Sequence, residues 1–142
     1  MKRTAGVSIA LGSTLILITI AAELVVGWIG VERSLPEAVH FVRDHWDRIS
    51  LIWSAQVLGY VLWILGFLVL LRSEEGWRFL VWAASIICGF LVIVAFLITL
   101  GAYPPALDVL HSSPELFAVV RGLVNALYRI PGGVLLLILL AV

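Results

Sequence analysis

The sequence is poor in cysteine and in charge, and both shortages narrow what the protein can be. Its single cysteine, Cys88, excludes an intramolecular disulfide and a thiolate metal cluster, and it lies in an apolar run, where a small packing residue is expected. Only 13% of the 142 residues are charged and 63% are hydrophobic, whereas soluble domains have about a quarter charged and about half apolar. A water-soluble fold could not bury so much apolar surface, so the composition indicates a membrane protein.

Charge balance and motif content exclude further classes. Nine basic residues balance nine acidic ones, so no basic excess attracts nucleic acid and we expect no nucleic-acid partner. There is no Walker-type loop, no G-x-S-x-G, no H-E-x-x-H and no C-x-x-C motif. The histidines His40, His45 and His111 all lie outside the apolar runs, so no span offers the paired axial ligands of a haem. We therefore expect no cofactor, no metal and no enzymatic activity.

Long apolar runs dominate what is present. Because they are apolar throughout rather than alternating, they predict helices and not barrel strands. The predicted fold is an all-α integral membrane protein with four transmembrane helices, arranged as two tandem helical hairpins in one domain. The predicted spans are residues 5–31, 50–71, 77–102 and 115–142. The first span follows Lys2 and Arg3 without a small-residue cleavage site, so we interpret it as a retained helix rather than a signal peptide.

The fourth span is less regular than the others. It carries Arg121, Asn125 and Arg129 ahead of Pro131, and the 12 residues from 131 to 142 would give only about 18 Å of helix against a hydrocarbon core of about 30 Å. Two arrangements are open. Either one long helix bends near Pro131, or an interfacial helix precedes a final span whose natural end lies beyond this sequence. We favour the kinked spanning helix.

Two proline-containing segments predict helix starts. Ser34 and Glu37 have the spacing of a capping box with proline in the first turn, and Ser112 and Glu115 repeat that pattern. This repeat suggests that the two hairpins are related. Residues 35–48 then predict an amphipathic interfacial helix in the first outer loop. Its apolar stripe, continued to position 49, consists of Leu35, Val39, Val42, Trp46 and Ile49.

The basic residues favour a cytoplasmic N-terminus in the plasma (inner) membrane. In this orientation four of them flank the inner helix ends: Lys2, Arg3, Arg72 and Arg78. Three lie in the first outer loop: Arg33, Arg43 and Arg48. Arg121 and Arg129 favour the reverse orientation if they are counted. Aromatic residues are then expected at the outer interface: Trp28, Trp46, Trp53 and Tyr103.

Polar side chains inside the predicted spans form the main candidate site. Glu23 and Arg121 are expected at similar depth on the first and fourth helices, so they can pair across the protein. Gln56 is expected near the same level, with Tyr60 one turn deeper. Arg121, Asn125 and Arg129 share one helix face because they are four residues apart. The candidate intramembrane polar layer or partner contact is Glu23, Gln56, Tyr60, Arg121, Asn125 and Arg129.

This polar layer has three interpretations. It is an internal ion pair with hydrogen-bonded neighbours, a contact with another subunit, or a ligand or transport site. The leading functional hypothesis is a non-enzymatic accessory or scaffold subunit of a larger membrane complex. Its partners would be membrane lipids and other membrane subunits or copies of itself. The alternative is a small transporter or channel with a polar site in the outer half of the bundle. A weaker third option is an enzyme that acts on lipids through the outer histidines.

Overall fold

Over the residues that the structure describes, the protein consists of α-helices joined by short turns, with no strand. The structure is a computed structural model that describes residues 2–72, 75–109 and 114–141. Five helices follow one another within these ranges: α1 Lys2–Val26, α2 Leu35–Asp44, α3 Trp46–Leu71, α4 Trp77–Val109 and α5 Pro114–Ala141. The predicted all-α fold is therefore confirmed.

Three helices are long and apolar enough to cross a membrane. They are Lys2–Val26, Trp46–Leu71 and the part of α4 from Trp77 to Pro105. Large apolar side chains such as Leu17, Leu51 and Phe90 are exposed on these helices. Lipid accepts such surfaces directly, provided that the backbone amides are paired within helices. The chain is a membrane protein, as its composition indicates.

Helix α1 ends at Val26, five positions before the predicted end of the first span. Gly27 and Gly30 have φ values of +83° and +84°, a backbone conformation that favours glycine. The backbone N–H of Gly27 donates to the Leu24 carbonyl at 3.1 Å, and that of Trp28 donates to the Glu23 carbonyl at 2.9 Å. These two bonds form a Schellman motif, which closes the helix. Glu23 therefore lies one turn from the end of α1, closer to it than the sequence predicts.

The predicted helix over residues 35–48 divides in two. α2 ends at Asp44, His45 has non-helical backbone angles of −117° and 14°, and Trp46 begins α3. The apolar stripe nevertheless stays on one side, because Val39, Val42 and Ile49 are all buried in the main hydrophobic cluster. The stripe thus packs against the protein itself. The interfacial position of α2 stays a prediction.

The capping box at the start of α2 forms as predicted. The Glu37 carboxylate accepts hydrogen bonds from the Ser34 backbone N–H at 2.9 Å and from the Ser34 hydroxyl at 2.8 Å. These bonds favour the charged form and hold the pKa of Glu37 below its usual value. At the second predicted cap, Ser112 and Ser113 lie outside the described residues, and α5 begins at Pro114.

The four long helices pack in chain order as a row. α1 packs against α3, α3 against α4 and α4 against α5. Among the described residues, α1 and α5 do not pack extensively against each other. Neighbours run antiparallel. The ring of Phe96 on α4 lies 5.2 Å from that of Tyr128 on α5, and Tyr103 lies 4.9 Å from Phe117, earlier on α5. We call the end of the row where α1 ends and α3 begins the α2 end.

Glycines on both helices allow α1 and α3 to pack closely. A Cβ atom at Gly12 would lie 2.6 Å from the Gly59 carbonyl oxygen and 2.7 Å from the Trp63 backbone nitrogen. A Cβ atom at Gly66 would lie 2.9 Å from the Ala5 carbonyl oxygen. Small residues allow membrane helices to approach in this way. The backbones of α1 and α3 are therefore in direct contact.

Helix α5 is continuous over its 28 residues from Pro114 to Ala141, about 42 Å at the usual helical rise. Whether its first part lies at the membrane interface or inside the membrane stays a prediction. The bend near Pro131 stays a prediction.

Candidate functional site

A cavity of about 370 Å³ lies at the α2 end, and all four long helices contribute to its wall. This volume is within the range of small-molecule sites. α1 and the turn after it supply Glu23, Trp28 and Ile29, and α3 supplies Trp53 and Gln56. The remaining lining residues come from α4 and α5: Phe96, Thr99, Tyr103, Arg121, Val124, Asn125 and Tyr128.

Glu23 is the acidic group of the cavity. Its side chain is only 6% exposed, and its Oε1 atom accepts a hydrogen bond from the indole Nε1 of Trp53 at 2.7 Å. A hydrogen bond to a charged carboxylate is stronger than one between neutral groups. The indole therefore orients Glu23 and leaves the second carboxyl oxygen, Oε2, for another partner.

Gln56 adds an unpaired acceptor to the same wall. Its side chain is 4% exposed, and its Oε1 atom is buried without a hydrogen-bond partner among the described residues. An unsatisfied buried amide oxygen costs about 1–3 kcal/mol. A molecule in the cavity that donates a hydrogen bond to Gln56 would recover this free energy.

Arg121 marks the boundary between the cavity and a second, more open pocket. The second pocket has a volume of about 520 Å³ and is lined by Arg121 and by residues 31–34 before α2. The guanidinium carbon of Arg121 lies 6.0 Å from the centre of the Trp28 ring. Glu23 makes its hydrogen bond to Trp53 and not to Arg121. The two charged groups therefore face one cavity instead of forming the predicted ion pair.

Aromatic rings make up much of the cavity wall. Trp28 and Trp53 meet edge to face with ring centres 5.6 Å apart, and Trp53 and Tyr103 do so at 5.8 Å. The sequence predicts these three residues at the outer membrane interface. Trp53 and Tyr103 are 3% and 1% exposed, so their rings face the protein interior, and their depth in the membrane stays a prediction. They pack inside the protein because α3 and α4 turn these faces toward each other.

The structure brings four of the six predicted site residues together. Glu23, Gln56, Arg121 and Asn125 all line the cavity. Tyr60 does not line it; this half-buried residue contacts Trp63 and Phe96. Arg129 is exposed and also lies outside the lining.

Sequence reasoning missed the aromatic and hydroxyl part of the site. Tyr128 lines the cavity where Arg129 is expected. A helix repeats every 3.6 residues, so Arg121, Asn125 and Tyr128 lie on one face more closely than residues spaced strictly by four. Thr99 and Tyr103 are four apart on α4, and this spacing is a signal that the sequence does contain. Nothing local indicates that Trp28, in the turn after α1, meets them.

The cavity combines one acidic group, one basic group and neutral hydrogen-bonding groups between aromatic walls. Among the described residues, no group of three or more His, Cys, Asp or Glu side chains is placed to hold a metal ion. Charged and hydrogen-bonding groups at the ends of an apolar pocket are suited to orient a small polar molecule.

No protein-family model, curated protein or solved structure matches this chain. Resemblance therefore supplies no function. The function is therefore inferred from the geometry of the cavity.

Proposed function

We propose that this protein is a non-enzymatic, multipass membrane protein that binds a small polar solute in the cavity, as a small transporter or channel. The burial of Glu23 and Gln56 in a cavity walled by all four long helices carries this proposal. Ionisable groups inside membrane helices are costly and usually face a partner or a wet cavity. A site for a solute accounts for both groups and for the position of Arg121.

The proposed arrangement in the membrane has four spans. α1, α3, α4 and α5 would cross the bilayer as two tandem hairpins, and α2 would lie at the interface beside the cavity. The basic leader Lys2–Arg3 favours a cytoplasmic N-terminus in the plasma (inner) membrane. The cavity would then open toward the outer half of the bilayer.

Filling the cavity tests this function. We expect Asn125→Trp to abolish solute binding, because Asn125 lines the cavity while its side chain is exposed enough to be enlarged without repacking the core. Purified protein is screened by thermal unfolding against amines, carboxylates, zwitterions and sugars. A solute at 100 times its Kd stabilises the fold by about 2.7 kcal/mol. Flux of any solute that stabilises the protein is then measured in proteoliposomes.

Val119→Trp is the matched control. It places the same indole on the same helix, but at an exposed position outside the cavity. We expect this variant to keep both solute stabilisation and flux. The proposal fails if no solute stabilises the wild-type protein, or if Asn125→Trp and Val119→Trp respond alike.

An accessory or scaffold role is the second candidate, favoured by the outer surface of α5. Arg129 is exposed there, and Leu116, Val119 and Leu123 are large exposed apolar residues of the same helix. An arginine on a lipid-facing surface gains from an acidic or polar partner. The partner would be another membrane subunit or a second copy of this chain.

Mass measurement after purification in mild detergent tests the accessory role. We expect a complex that Arg129→Leu dissociates, with Arg3→Leu, at an exposed position near the start of α1, as the control that leaves it intact. A stable wild-type monomer, or a complex insensitive to Arg129→Leu, counts against a subunit contact at this face.

A further inference from the structure

Resting on that proposed function, we propose that the solute is a zwitterion, with an alkylated ammonium group held between Glu23 and the aromatic walls and an acidic group held at Arg121. The cavity contains one group of each charge, and each lies beside features that suit one end of such a molecule.

The ammonium end is supported by the rings around Glu23. Trp28 and Trp53 lie at 74° to each other, and Trp53 and Tyr103 lie at 71°. Rings at steep angles that line one cavity give aromatic surfaces in several directions, the arrangement by which proteins recognise alkylated ammonium groups. Because Trp53 occupies only Oε1 of Glu23, the carboxylate keeps an oxygen for the cation.

The acidic end is supported by the position of Arg121. Its side chain lines both the cavity and the open pocket, where Arg33 and Ser34 are further lining residues. Guanidinium groups bind carboxylates and phosphates through paired hydrogen bonds. Glu32 also lines this pocket, so the acidic group is placed at Arg121 on the cavity side.

Singly charged molecules fit the cavity less well. A simple cation would be attracted to Glu23 but would share the cavity with the guanidinium of Arg121. A simple anion would meet the buried carboxyl group of Glu23 in the same way. A zwitterion places each of its charges beside the opposite charge of the protein.

The zwitterion has two possible sources with the same chemistry. It is a free solute that enters through the open pocket at the α2 end, or a phospholipid head group that reaches the cavity between α1 and α5. The second route is suggested by the row arrangement, in which α1 and α5 are the two edges. The experiment has an arm for each source.

The first arm measures binding by tryptophan fluorescence, since Trp28 and Trp53 line the cavity. The full chain in dodecyl maltoside is titrated with phosphocholine, with choline and with inorganic phosphate. We expect phosphocholine to bind at least tenfold more tightly than either single-charge probe. Arg121→Gln should weaken phosphocholine binding at least tenfold, and Arg129→Gln, outside the cavity lining, should leave it unchanged.

Variants at the ammonium end distinguish a loss of binding from a loss of folding. Trp28 lies in the turn after α1, so Trp28→Leu removes a ring without changing a helical residue. Trp28→Phe keeps an aromatic face. We expect Trp28→Leu to weaken choline and phosphocholine binding and Trp28→Phe to retain most of it. Glu23→Gln should do the same as Trp28→Leu if its circular dichroism spectrum is that of the wild type.

The second arm uses nanodiscs of phosphatidylcholine or phosphatidylglycerol. Loss of the phosphocholine response only in phosphatidylcholine shows that the head group occupies the site, and a response in both shows a free solute. The inference is overturned if choline binds as tightly as phosphocholine and Arg121→Gln has no effect, or if phosphocholine does not bind. If a solute that is not a zwitterion is blocked by Asn125→Trp while phosphocholine fails, the proposed function stands and only the zwitterion is wrong.

Discussion

Gly12→Ala is expected to destabilise the protein by about 2–3 kcal/mol, since overfilling a packed contact costs this much and here the opposing atoms are backbone. The added methyl group would lie 2.6 Å from the Gly59 carbonyl oxygen and 2.7 Å from the Trp63 nitrogen, so no side-chain rotation relieves the overlap. The α1–α3 pair has to separate along its length. Thermal unfolding in detergent and the yield of folded protein measure the effect.

Gly6→Ala is the control for this substitution. Gly6 lies on the same helix, and nothing would lie within 4 Å of a Cβ atom there. Alanine is favoured over glycine in a helix by about 0.5–1 kcal/mol, so this variant should be neutral or slightly stabilised. Equal unfolding temperatures for the two variants would contradict the close contact between α1 and α3.

Trp53→Ala is the second substitution with a large expected effect. Trp53 is buried, packs against Trp28, Trp46 and Tyr103, and donates the hydrogen bond to Glu23. Replacing a buried tryptophan by alanine typically costs about 3–5 kcal/mol, because the lost contacts leave a cavity. Chemical or thermal unfolding in detergent measures the loss.

Two comparisons separate packing from hydrogen bonding at Trp53. Trp77→Ala is the packing control, since Trp77 is 53% exposed, and it should change stability by less than about 0.5 kcal/mol. Trp53→Phe keeps a ring but leaves the buried Glu23 carboxyl group without its donor. Combined with Glu23→Leu, it should cost less than the sum of the single changes, by about 1 kcal/mol. Strict additivity would mean that the hydrogen bond contributes nothing.

The features predicted correctly from the sequence are those that short segments determine. The length of the apolar runs gives the three helices able to cross a membrane, and the Ser34–Glu37 spacing gives the start of α2. These predictions depend on local physical chemistry and not on how the helices are ordered in space.

The candidate site was predicted only in part, because it depends on which helix faces meet. Opposite charge suggests Arg121 as the partner of Glu23, but the register of α1 against α3 places the Trp53 indole there. The same register buries Trp53 inside the protein, although tryptophan is a residue type that is typical of the membrane interface. A step of four residues selects Arg129, whereas the helical repeat places Tyr128 at the cavity. Rotations of this size cannot be read from hydrophobicity alone.

The turn that ends α1 also determines how much order a ligand has to impose. The bond from the Trp28 backbone N–H to the Glu23 carbonyl joins two residues of the cavity wall through one short ring of backbone, with Gly27 adopting the required conformation. The carboxyl group and the indole at this corner are therefore positioned by the chain itself. Preorganisation of this kind lowers the entropy cost of binding. Binding free energy at this corner is then available for recognition and is not consumed in folding a loop around the ligand.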